Sequence, residues 1–234
     1  MGCAISSLHA QHFSLIRDIN PGTASSNISY ITRLDRQIFF GANNGTNGLE
    51  LWKSDGTSQG TVMVKDINEG SGSSSIGYLT AVGDLIYFVA NNGKNGVELW
   101  KSDGSTAGTV MVKDIRSGSA SSLPSALVAL ENKLLFAASD GFNGSELWVS
   151  DGTAEGTYML KNIHATGNAS PQNMVNMNGY VYFSADDGVN GRELWKTDGT
   201  TAGTTMVKDI YPGGNGSSPG NLVNIGSTIF FAAT

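Results

Sequence analysis

Short apolar runs rich in β-branched and aromatic residues recur along this chain, each bounded by Gly, Asn and Asp. Five of them carry an aromatic pair or its equivalent: Ile38-Phe-Phe40, Ile86-Tyr-Phe88, Leu134-Leu-Phe136, Val181-Tyr-Phe183 and Ile229-Phe-Phe231. Runs of this length and composition read as strands, and none continues at helical spacing. In the second unit the pattern predicts strand A over Tyr78–Val82, B over Leu85–Ala90, C over Val97–Ser102 and D over Thr109–Ile115. Gly83-Asp84, Asn92–Gly96 and Asp103-Gly104 separate them and supply the positive φ of tight hairpin turns, so consecutive strands pair antiparallel. Each unit is therefore a four-stranded meander. Strand B is apolar at successive positions and hence on both faces. A sheet tolerates this only when both faces are covered, as when twisted sheets stack around an axis.

The units repeat throughout the chain. Glu-Leu-Trp followed by Asp-Gly-(Thr/Ser) occurs four times, with tryptophans at Trp52, Trp100, Trp148 and Trp195, spaced by 48, 48 and 47 residues. A second signature closes each unit, as Met63-Val-Lys-Asp-Ile67, Met111–Ile115, Met159–Ile163 and Met206–Ile210, and an upstream copy is Leu15-Ile-Arg-Asp-Ile19. A period of about 40 to 50 residues built from such meanders predicts a β-propeller. Thr234 falls on the register of Asn91 and Met1 on that of Val97, so the two ends together supply a fifth unit apart from the hairpin between strands B and C. The expected fold is all-β: a single domain over residues 1–234, a five-bladed β-propeller of four-stranded antiparallel meander blades. Its last blade is shared between residues 1–19 and 211–234 and closes by pairing of the N- and C-terminal strands. Strand C of that blade is expected near Gly2–Ser7 and strand D near Phe13–Ile19. Within Met1–Gln11, Gly2, Cys3 and Ala4 replace Glu-Leu-Trp and no Asp-Gly turn follows. A drifted clasp strand and a piece cut from a longer repeat protein both fit this.

Composition narrows the function. Only 15% of residues are charged, the net charge is −6, and Lys and Arg are spread through the units. Unspecific attraction to nucleic acid or to anionic lipid is not expected of such a surface. The single cysteine, Cys3, rules out an intrachain disulfide. No run reaches the ~20 apolar residues of a membrane-spanning helix, so membrane insertion is not expected, and no signal peptide precedes the repeats. Met1–Ser6 fits the N-myristoylation pattern, and sequons occur at Asn27, Asn44, Asn143, Asn168 and Asn215. A chain rich in Gly, Asn, Ser and Thr matches such loose patterns by chance.

The motif Glu-Leu-Trp-x-x-Asp-Gly-Thr-x-x-Gly-Thr, seen as Glu50–Thr61 and Glu193–Thr204, resembles the bacterial ELWxxDGT repeat family over essentially the whole chain. Ser105 stands for Thr in the second unit, and the N-terminal copy is eroded. The resemblance implies β-propeller architecture in bacterial secreted or surface proteins, and hence an extracellular or cell-surface location. It implies no reaction.

The repeated carboxylates are Glu50, Glu98, Glu146 and Glu193 on strand C, and Asp55, Asp103, Asp151 and Asp198 at the following turn. Their structural role is to accept backbone N–H bonds within the turn, for Asp, and to pair across strands with Lys or with loop amides, for Glu. Catalysis needs groups of different pKa converging on one point, whereas these occupy equivalent places in separate blades. His9, His12 and His164 share no spacing with a nucleophile, so no enzyme activity, catalytic residue or cofactor is expected. The B–C hairpins, such as Asp186–Gly191 and Ser139–Gly144, set oxygen ligands beside glycines, but the first two offer only Asn43, Asn44 and Asn47, and Asn91, Asn92 and Asn95. Calcium wants several carboxylates, so no metal site is expected.

Each tryptophan either fills the wedge between neighbouring sheets or lines an inter-blade pocket where a sugar ring stacks. On the second reading the candidate ligand-binding residues are Trp52, Trp100, Trp148 and Trp195 with Asn44, Asn92, Asp140 and Asp187. Strand direction places the B–C hairpins and the long Gly/Ser-rich connections on one face, where binding residues concentrate. The leading expectation is a non-catalytic recognition module with repeated, near-equivalent sites for a glycan. The alternative is a structural or protein-interaction propeller with no small-molecule site, whose ligand is a surface protein.

Overall fold

A computed structural model describes residues 14–234 of the chain. The expected clasp strand at Gly2–Ser7, the myristoylation pattern, His9, His12 and Phe13 lie outside the described residues. Within them the chain forms eighteen strands and no helix.

The first sheet is β1 (Ser29–Leu34), β2 (Gln37–Asn43), β3 (Leu49–Ser54) and β4 (Val62–Lys65). The second is β5 (Gly77–Val82), β6 (Leu85–Asn91), β7 (Val97–Ser102) and β8 (Val110–Lys113). The third is β9 (Ser125–Leu130), β10 (Lys133–Ser139), β11 (Ser145–Ser150) and β12 (Tyr158–Lys161). The fourth is β13 (Gln172–Met177), β14 (Tyr180–Asp186), β15 (Arg192–Thr197) and β16 (Thr205–Lys208), and a last, two-stranded sheet holds β17 (Gly220–Ile225) and β18 (Thr228–Ala232). Every sheet is an antiparallel meander in chain order.

The second strand of each complete sheet is the one apolar on both faces, and the packing shows why. Ile86, Phe88 and Ala90 of β6 pack against Phe39, Leu51 and Val64 of the first sheet. Tyr87, between them in sequence, points the other way into the cluster of Leu134, Phe136 and Trp148 of the third. The first strands β1, β5, β9, β13 and β17 are neighbours of one another, so they lie innermost and the fourth strands lie at the rim. The arrangement is β-propeller-like, an all-β stack of radial sheets.

Polar links tie the rim together in the same repeat. The signature lysines reach the next sheet, Lys65 Nζ donating to the Thr109 carbonyl at 2.8 Å, Lys113 to Thr157 at 2.6 Å and Lys161 to Thr204 at 2.6 Å. Arg17, the equivalent residue upstream of the first sheet, donates to the Thr61 carbonyl at 2.6 Å. Ile19 packs with Phe40, Ala42 and Trp52. Residues 14–19 are thus seated on the first sheet as the fourth strand of a preceding sheet would be, although they carry no strand of their own. At the other end, Thr234 N–H donates to the Ser217 carbonyl as Asn91 does to Ser74, which is the register expected for it.

Both ends of the stack leave an apolar face. Ile38 is 38% exposed, while its equivalents Ile86, Leu134 and Val181 are 0% exposed. Phe230 is 53% exposed, while Phe39, Tyr87 and Leu135 in the same register are at most 1% exposed.

Candidate functional site

The tandem signature is a backbone-bonding device. After β3, the Asp55 carboxylate accepts the Thr57 N–H at 2.9 Å and its hydroxyl at 2.7 Å, and Thr57 Oγ1 accepts the Gly60 N–H at 2.9 Å. Thr61 Oγ1 donates back to the Thr57 carbonyl and meets Ser54 Oγ at 2.6 Å. A Cβ at Gly60 would collide with the Asp55 carboxylate, which is why the motif requires glycine there. The Thr57 hydroxyl and amide hold the Asp55 carboxyl below its ordinary range, and the equivalent donors do the same for Asp103, Asp151 and Asp198.

The glutamates of the signature are buried, each at 0% exposure. Glu98 accepts from Ile115 N–H at 3.1 Å, from Ser122 N–H at 2.9 Å and from the Ser122 hydroxyl. Glu146 accepts from Ile163 and Ala169, and Glu193 from Ile210, Tyr211 and Ser217. Each carboxylate so joins the end of the fourth strand to the loop that enters the next sheet. Glu50 departs from this pattern. Its Oε2 accepts from Ile67 N–H at 2.8 Å, but Ser74 donates to the Leu49 carbonyl instead, and Glu50 Oε1 has no partner among the described residues. Burial raises the Glu50 carboxyl to about 7, and pushes those of Glu98 and Glu146 up as well. At Glu193, beside the two-stranded sheet, burial acts in the same direction but the Ser217 hydroxyl and the loop amides outweigh it and lower the carboxyl.

The expected ligand-binding residues occupy structural positions. Trp52, Trp100, Trp148 and Trp195 are 5–7% exposed and belong to the cores between sheets. Their ring faces are therefore turned to protein, and Lys161 Nζ sits 5.9 Å above Trp195. Asn44 Oδ1 accepts from Thr46 and Asn47 N–H at 2.9 and 2.8 Å, and its amide donates to Asn47 Oδ1. Asn92 makes the same set with Lys94 and Asn95. Asp140 accepts from Phe142 and Asn143, and Asp187 from Val189 and Asn190, again within the hairpin. Partial burial pushes the Asp140 and Asp187 carboxyls up, but these donors outweigh it and hold both low. All four side chains build the hairpins, and the indoles stand apart from them in the cores.

A different concavity lies on the loop face. The hairpins and the long connections do meet there, since Leu49 N–H donates to Ser73 Oγ, Val97 N–H to Ser121 Oγ and Ser145 N–H to Asn168 Oδ1. A groove of about 580 Å³ runs over the third sheet, lined among others by Tyr78, Arg116, Ser125, Asn168 and Gln172. Tyr78 is aimed into it by a bulge at the start of β5, where its φ is 53°, and its ring lies 6.2 Å from that of Tyr30. Left-handed residues recur in this register as Tyr30, Ala126, Asn173 and Asn221, so the strain belongs to the repeat and only the side chains differ.

No protein-family model matches the chain, and no curated protein matches it. Solved structures are similar in fold. The computationally designed Ika8 protein superposes with a TM-score of 0.51 at 17% identity, covering 88% of this chain and 55% of that one. The S511A mutant of puromycin hydrolase, complexed with PGG, gives 0.55 at 13% identity, covering 90% and 34%. BamB from Moraxella catarrhalis gives 0.47 at 17% identity, covering 87% and 53%. The chain thus spans about half the length of Ika8 and a third of that of puromycin hydrolase, and at these identities the likeness is one of propeller-like fold alone.

Proposed function

We propose that this chain is a non-catalytic recognition module that binds a glycan on its loop face. The groove beside Tyr78 carries the reading. It combines serine hydroxyls, the amides of Asn168 and Gln172 and one exposed aromatic ring, the set of groups that pairs with sugar hydroxyls and stacks on a sugar face. Against catalysis stands the employment of the repeated carboxylates, each engaged by backbone N–H groups of its own turn or loop. No cofactor or metal enters this reading, and the location that goes with it is extracellular or cell-surface.

The scaffold we propose is a five-bladed ring, its last blade built from β17 and β18 together with residues 1–19. Two observations support it. Residues Arg17–Ile19 sit against the first sheet as the fourth strand of a preceding sheet would, and the faces of Phe230 and Ile38 correspond to the two halves of the interface between inner sheets. The exposed apolar residues at these ends, among them Ile28, Ile31 and Phe230, equally favour a second reading, a structural module that docks a protein through its end faces.

Glycan-array screening followed by calorimetry tests the function. Binding of an oligosaccharide that is lost in Tyr78→Asn supports it. Asn is the residue the fourth and fifth repeats carry at this left-handed position, so the backbone is kept while the ring is removed. Absence of glycan binding, with a protein partner lost on Phe230→Asp, supports the second reading.

A further inference from the structure

The groove lies beside a position at which the repeat varies, the residue after the signature being Asn20, Asn68, Arg116, His164 and Tyr211 in successive copies. After the first two copies of the signature this residue is asparagine, and its side chain folds back on its loop, Asn20 Nδ2 donating to the Ser25 carbonyl at 3.2 Å and Asn68 to Ser73 at 3.1 Å. After the third copy it is Arg116. Its Nη1 keeps the bond to the equivalent carbonyl, Ser121, only at a stretched 3.5 Å. Arg116 lines the groove, and its side chain is exposed.

A second departure lies across the groove. Glu98 reaches a loop amide 24 residues on, at Ser122, whereas Glu146 reaches Ala169, 23 residues on. The connection entering β13 is one residue shorter, which is the origin of the 47-residue spacing between Trp148 and Trp195. Asn168 and Pro171 of this shortened loop, with Gln172 at the start of β13, form the far wall.

The lining contains one cation and, among the described residues, no aspartate or glutamate. In a chain of net charge −6, that makes the groove a local exception rather than part of a basic surface. Guanidinium is the group that matches a carboxylate in two parallel hydrogen bonds.

We infer that this groove is a single site for an acidic glycan, Arg116 binding the carboxylate of a uronic or sialic acid while the Tyr78 ring stacks on the sugar. The inference rests on the glycan reading above and narrows it. It replaces several equivalent sites per chain with one, because only the third copy of the signature is followed by arginine.

Calorimetry with galacturonate, glucuronate and sialic-acid oligosaccharides, each beside its neutral methyl ester, tests it. One acidic ligand should bind per chain, about tenfold or more tighter than its ester, as a charge-assisted pair allows. Arg116→Asn, which installs the residue that follows the first two copies of the signature, should abolish that preference while leaving the melting temperature unchanged. Tyr78→Asn should weaken acid and ester alike. Equal affinity for acid and ester, indifference to Arg116→Asn, or several equivalent sites would overturn the acidic-site assignment and leave the glycan reading standing. No binding of any acidic or neutral sugar would overturn both.

Discussion

At the residue scale, the four signature glutamates share a sequence context and differ in their partners. Glu98 uses both oxygens as acceptors, so Glu98→Gln sets an amide donor against N–H groups and should cost about 1–3 kcal/mol in chemical denaturation. Glu50 has one oxygen without a partner among the described residues, and its glutamine variant should fold with little loss. The pH dependence separates them further. The Glu50 carboxyl lies at about 7 in the fold against an ordinary 4.5, so the native state retains a proton that the unfolded chain releases between these values. The stabilisation from the protonated acid is complete below 4.5 and is lost as pH rises through 7. Thermal midpoints should therefore fall between about pH 5 and about pH 8, and Glu50→Gln should flatten that slope. Glu98 and Glu146 are raised too and leave a residual slope in the variant. An unaltered slope in Glu50→Gln would show that the proton is held elsewhere.

At the element scale, the hairpin after each third strand depends on the approach of glycine to aspartate. Gly108→Ala should cost roughly 1–3 kcal/mol, since the new Cβ meets the Asp103 carboxylate. Asp103→Ala in the same chain should recover part of it, a non-additivity that a double-mutant cycle measures. Simple additivity would mean that the two residues do not meet. Strand positions were legible because Asn-Gly and Asp-Gly turns bracket β-branched runs, and β7 spans Val97–Ser102, the range read from the chain. The fourth strand is shorter than its apolar pattern suggests. β8 stops at Lys113 because the next available amide, that of Ile115, goes to the buried Glu98 instead of the strand ladder. The bulge that aims Tyr78 was not legible, since tyrosine is no marker of left-handed backbone. A tryptophan per unit reads first as core filling and second as a pocket wall, and burial places all four indoles in the cores. The one signal for the groove, the change of spacing from 48 to 47 beside an arginine that no other copy carries at its position, lies in departures from the repeat rather than in the repeat itself.

At the scale of the whole molecule, stability and binding both depend on what meets the exposed end faces. If they meet each other, Phe230→Asp places a charge in an inter-blade core and should destabilise by about 2–4 kcal/mol, whereas on an open face it should change little. A more direct measurement uses the repeat as its own ruler. Arg36, Asp84, Asn132 and Ser227 occupy the same exposed turn between first and second strands of their sheets. Spin labels are attached at pairs of these positions in a Cys3→Ser background, and their separations are read by electron–electron double resonance. A closed five-bladed ring predicts that the separation of 36 and 227 equals that of the adjacent pair 36 and 84, and is shorter than that of the next-nearest pair 36 and 132. A separation of 36 and 227 longer than that of 36 and 132 would contradict the ring and leave an open arc whose ends belong to another partner.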